Sequence, residues 1–284
     1  MEWRPVADRR GIWLTLLVIA ACAACNGEEE GRPTVFVPDT SEVVTCEGQY
    51  CDATRLQRYD LDGFYQKVTE THQIAIAGSH RVDDRGLEVA REIVSMMLSG
   101  NERIPPMLVE AEAHIGVIAE AEATTDIPEH RFLKNDPNTN WDARARGFGG
   151  TPEVPVTTTG EENLLCRSTD RWLGESILVH EFAHTLHLIA INGFDAGFQS
   201  ELDSIFAEAQ SEDLWADTYA NTNSTEYFAE GVQSWFNANQ SPQPGIHNSV
   251  DTKAELAEYD PRLHDLIGRY FIDTDWSPSC PSGA

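Results

Sequence analysis

The apolar positions of the chain fall into blocks of different period. Ile12 to Ala21 is an apolar stretch interrupted by Thr15, behind Arg4, Arg9 and Arg10. It is too short to span a bilayer as a mature helix and suits the core of a signal peptide. Leu61 to Thr71 reads as a helix and Gln73 to Ala77 as a strand. From Asp84 to Leu98, Leu87, Val89, Ala90, Ile93, Val94 and Met97 recur at helical spacing, and His114 to Ala119 reads as a second strand. Glu120 to Leu164 is long and irregular, with Gly147, Gly149 and Gly150 inside it, a length that points to a functional groove when it occurs within a domain. Gly174 to Ala190 is apolar on nearly every side and reads as a buried helix, with Asn192-Gly193 just past its end. Phe198 to Phe206 fits an amphipathic helix with a solvated acidic face, and Ser224 or Thr225 can cap a helix that runs on to Phe236.

Composition narrows the function classes. The 47 acidic and 20 basic residues give a formal charge of -27, which argues against gripping nucleic-acid phosphates and against a basic membrane-surface binder. The apolar run ends in Ile19-Ala20-Ala21-Cys22-Ala23-Ala24-Cys25. Small residues before a cysteine resemble a bacterial lipobox, and Cys22 fits that pattern best. Parity favours Cys25, because processing there leaves Cys46, Cys51, Cys166 and Cys280 as an even set suited to two disulfides. The predicted compartment is therefore extracytoplasmic, with contact to a membrane only through a lipid anchor. The expected pairing is Cys46 with Cys51 and Cys166 with Cys280. The expected organisation is a signal peptide over 1–25, an acidic tether over 26–51, a folded domain over 52–275 and a tail over 276–284.

The chemistry concentrates in His180-Glu181-Phe182-Ala183-His184. Histidines four apart on a helix stand one turn above each other, so both imidazoles reach one ion while Glu181 projects toward its open side. Zinc with three protein ligands keeps a place for water and acidifies it, and Glu181 is placed to take the proton. The competing reading is two core histidines bonded to backbone carbonyls. A third histidine at the metzincin spacing is absent, since His187 and Ala190 hold the relevant positions. Among downstream carboxylates, Asp203 sits on an ordinary amphipathic face. The better third ligand is Glu226, with Glu230 one turn on to orient a ligand histidine. Tyr219 is a candidate hydrogen-bond donor to a developing oxyanion. His187 suits a local partner on its helix face, His114, His130 and His247 have no spacing partner and no metal role, and Asp60-Leu61-Asp62-Gly63 suits a helix-capping turn better than a calcium loop.

His180-Glu181-Phe182-Ala183-His184, then Tyr219, then Glu226-Tyr227-Phe228-Ala229-Glu230 seven residues later resembles the catalytic domain of anthrax lethal factor and the Pro-Pro endopeptidases, a gluzincin-type zinc peptidase family. The firm similarity spans Gly174 to Phe236. It implies a zincin-like α+β domain with a small mixed sheet and an active-site helix. It also implies one zinc ion on His180, His184 and Glu226, Glu181 as base and Tyr219 as oxyanion donor. The substrate implied is a peptide or protein, held as an added strand along a sheet edge formed by Ile115 to Ala119 or by the segment after Gly147. Two alternatives are a zinc-fold surface lipoprotein that binds without turnover and a metal-dependent amide hydrolase acting on cell-wall material.

Overall fold

In the computed structural model, which describes residues 46–240 and 242–279, the alternation Ile74-Ala75-Ile76-Ala77 sorts the two faces of a strand. Ile74 and Ile76 enter a large apolar core, whereas Ala75 and Ala77 enter a smaller cluster on the other face, as a two-residue side-chain period requires. This strand, β2 (Ile74–Gly78), belongs to a sheet with β1 (Lys67–Thr71), β3 (His114–Ile118), β4 (Gly147–Phe148) and β5 (Val156–Gly160). The spatial order is β1-β2-β3-β5-β4. β2, β3 and β5 run parallel, and the outer strands β1 and β4 pair antiparallel to their neighbours.

Among the described residues the helices are α1 (Ala53–Arg58), α2 (Asp84–Met97), α3 (Ile104–Glu110), α4 (Trp141–Arg144), α5 (Glu161–Leu164), α6 (Ile177–Thr185), α7 (Asn192–Phe194), α8 (Phe198–Ser211), α9 (Ser224–Trp235), α10 (Lys253–Tyr259) and α11 (Pro261–Ile267). The fold is mixed α+β. Asp83 caps α2 through its side chain, and the helix buries Leu87, Ala90, Ile93, Val94 and Met97 in the large core. The helix α6 buries Leu178, Val179, Phe182 and Ala183 in the same core, each larger side chain contributing about 1.5–3 kcal/mol.

Several expectations are corrected. Leu61 to Thr71 is not a helix: Asp62 accepts from the Phe64 amide in a turn, and Lys67–Thr71 pairs with β2. Asp62 therefore caps no helix. The helix from Ile177 does not end before Gly193, because a π-helical segment, Leu186–Ile191, carries it into α7. The cap of α9 is Asn223, whose side chain accepts from the Thr225 and Glu226 amides, while Ser224 is drawn aside to Asp203. Of the two candidate edges, β3 is interior and β4 is outermost.

Cys46 and Cys51 are disulfide-bonded. Cys166 is also disulfide-bonded, and its expected partner Cys280 lies outside the described residues, as do Cys22, Cys25 and the signal-peptide run. No helix among the described residues is long and apolar enough to cross a membrane.

Candidate metal centre

Two helices build the site. Ser176 caps α6 by accepting from the Val179 amide, and four residues on, the helix presents His180 and then His184. Asn223 starts α9 so that Glu226 stands in its first turn. The Nε2 atoms of His180 and His184 lie 3.1 Å apart, and each lies 3.1 Å from Glu226 Oε2. The competing reading of core histidines bonded to backbone carbonyls does not describe this arrangement, because both Nε2 atoms face each other and a carboxylate.

The triangle fits a divalent cation. Zinc with ligands at 2.0–2.1 Å in a tetrahedron spaces them roughly 3.3 Å apart, close to the 3.1 Å edges found. The tautomer of His180 fits as well. Gln233 spends its amide nitrogen on Glu175 Oε2 and the Ser176 carbonyl, so its Oε1, 2.8 Å from His180 Nδ1, must accept. With Nδ1 donating, a neutral His180 ring, as a bound metal requires, turns its Nε2 lone pair to the triangle. His184 Nδ1 is buried with no hydrogen-bonding partner among the described residues.

The electrostatics say the same. Burial opposes a charge on His180, yet the Glu226, Glu181 and Glu230 carboxylates outweigh it and raise its pKa to about 10. Burial likewise opposes ionisation of Glu226, and hydrogen bonds from His180 and His184 override it, holding Glu226 well below the usual carboxylate range. The pocket thus calls for positive charge at its centre, which a metal ion supplies while both rings stay neutral.

Glu181 is half-buried beside the triangle. Burial raises its pKa, with the Glu226 charge adding, against the two histidines and a hydrogen bond from the Gly149 amide. Tyr219 opens a short 3-10 turn, Tyr219–Asn221. Its ring centroid is 6.0 Å from that of His180, and its hydroxyl is hydrogen-bonded to Glu226. Burial, then Glu226 and Glu181, push the phenol far above its ordinary range, so it stays protonated. Glu230 reaches His180 Nδ1 at 3.5 Å, farther than Gln233, and its other oxygen accepts from Asn239 and His247. Gln233, Glu175 and Asn239 were not foreseen; Gln233 is one helical turn past the expected Glu230 neighbourhood and carries no sequence signature.

Other histidines lie elsewhere. His187 bonds Gln199 and packs against Phe198 and Phe228. His114 pairs with Glu129, and His130 meets Phe148 edge-on. Asp203 accepts from Gln199 and Ser224, which ties α8 to the start of α9.

No protein-family model matches the chain, and no curated protein sequence matches it. Among solved structures the chain is similar to a Pro-Pro endopeptidase from Paenibacillus alvei, with 18% identity over 67% of this chain and 93% of that one and a TM-score of 0.46. A likeness at that level assigns no residue role, so the chemistry of the site rests on its own donor atoms.

Proposed function

We propose that the protein is a zinc-dependent endopeptidase whose catalytic domain spans residues 52–275 and which is anchored outside the cytoplasm by a lipid on Cys22 or Cys25. The observation that carries this reading is the triangle of two buried imidazole nitrogens and one partly buried carboxylate oxygen, with Glu181 and Tyr219 at its side. His180, His184 and Glu226 hold the metal. Zinc bound there supplies Lewis acidity and an acidified water.

The residues of the chain do the rest. Glu181 accepts the proton of the attacking water and returns it to the leaving amine, and its raised pKa brings it closer to that water's own, which favours transfer both ways. Tyr219, kept protonated, donates to the oxyanion as the carbonyl carbon becomes tetrahedral. Gln233 keeps His180 in the tautomer that ligates. β4 is the outermost strand and its Gly147 lies against the Glu181 side chain, which supports its free edge as the one to which a peptide adds as a strand. A peptide-library screen on the zinc-loaded protein tests the reading: internal cleavage that a chelator abolishes and zinc restores supports it, and zinc uptake with no cleavage supports a binding lipoprotein instead.

A further inference from the structure

His247 is buried between two carboxylates from different parts of the chain. Its Nδ1 lies 3.2 Å from Glu230 Oε2 on α9, and its Nε2 lies 3.7 Å from Glu175 Oε2 just before α6. Burial opposes a charge on this imidazole, but Glu230 and Glu175 outweigh it and raise its pKa. Asn239 Nδ2 also bonds Glu230 Oε2. The sequence gives no reason for this expense, because a buried ion pair of this kind adds little net stability over an apolar replacement.

The next residue back supplies one. Ile246 offers its carbonyl to the Tyr219 amide at 2.7 Å. The loop around it is a tight turn in which the Ile246 and His247 amides both donate to the Gln243 carbonyl and the Gln243 amide returns a bond to His247. Ser234 holds the far end at the Val250 carbonyl. The backbone that fixes Tyr219 therefore hangs from the side chain of His247.

We propose that His247 is a positioning residue that sets the place of Tyr219: it clamps the 243–247 turn to Glu230 and Glu175, and the Ile246 carbonyl then holds the Tyr219 amide. This rests on the endopeptidase reading only for its kinetic consequence. The hydroxyl of Tyr219 must meet a charge that exists only in the transition state, so misplacing it lowers kcat with little effect on substrate affinity.

The test compares the full chain with His247→Ala and His247→Gln, each alone and combined with Tyr219→Phe. His247→Ala is expected to keep its zinc, to hold KM within about 2-fold and to lose about 10–100-fold in kcat. On the Tyr219→Phe background the same change is expected to cost less than about 2-fold, because the two residues act as one unit. Amide hydrogen exchange of the peptide carrying Tyr219 is expected to speed up in His247→Ala. If His247→Ala does not fold, His247→Gln, which keeps a donor, gives the same pattern in weaker form. Unchanged exchange at Tyr219, additive losses in the double variant, or a fall in zinc content would overturn the proposal. Exchange at Tyr219 decides it even if the wild-type protein cleaves no peptide, so failure of the endopeptidase reading and failure of this one are distinguishable.

Discussion

Gly149 lies so close to His184 that a Cβ on the glycine would stand 2.4 Å from the Cβ of the histidine and 2.9 Å from the Glu181 carbonyl. Neither atom is the free end of a flexible side chain. Gly149→Ala must therefore push β4 away from α6, breaking the Gly149 hydrogen bond to Glu181 and straining that of Gly150 to Thr185. A destabilisation of about 1–3 kcal/mol is expected from such overpacking, together with loss of cleavage. Urea unfolding of the variant beside wild type measures the first, and an unchanged midpoint would show that the close approach is not needed.

The proposed ligand set can be tested separately from its neighbours. Glu226→Ala removes one corner of the triangle and is expected to lose zinc, whereas Asp203→Ala breaks the bonds from Gln199 and Ser224 and is expected to keep it. Metal analysis of both variants after dialysis checks this. Normal zinc in Glu226→Ala with loss in Asp203→Ala would reverse the assignment.

Tyr219→Phe deletes the hydroxyl and leaves the ring beside His180. The expected result is a fall in kcat of roughly 10²-fold, the scale of losing one oxyanion donor, with KM and zinc content near wild type. Parallel loss of zinc and activity would place Tyr219 in support of the ligands.

How much of this was legible in the sequence depends on what each residue must do. His180, Glu181 and His184 share one helix, so their spacing alone brings them together. Glu226 follows from a second helix whose acidic residues stand one turn apart. Gln233 stands two turns past Glu226 on the same helix, but nothing in the sequence marks an amide there as a histidine partner, and His247 reaches the site only through the loop after α9. The misread helix at Leu61 to Thr71 has a physical cause. Leu61, Phe64, Tyr65 and Val68 fall at helical spacing and do share one apolar cluster, but the Asp62-Gly63 turn and the β-branched Val68, Thr69 and Thr71 take the chain there as a loop and a strand.

A pH effect on stability follows from His187. Burial, with the nearby His184 adding, pushes its pKa down to about 4 against the bonding from Gln199, while an unfolded histidine titrates near 6.5. Between those values the unfolded chain binds a proton that the folded chain refuses, so stability is full above about pH 6.5 and falls as the pH drops toward 4. The loss at pH 5 is about 2 kcal/mol. His187→Gln lacks this term, so its unfolding free energy should fall less between pH 7 and pH 5 than that of wild type. Equal slopes for the two proteins would remove His187 from the acid response.

The triangle is proposed to hold a metal whose chemistry depends on a separate base, Glu181. This is tested most directly by measuring zinc content and peptide cleavage in wild type and Glu181→Gln side by side. One zinc per chain is expected in both proteins, with cleavage reduced in Glu181→Gln by at least about 10²–10⁴-fold. Substoichiometric zinc in the wild type, or equal cleavage by the two proteins, would contradict it.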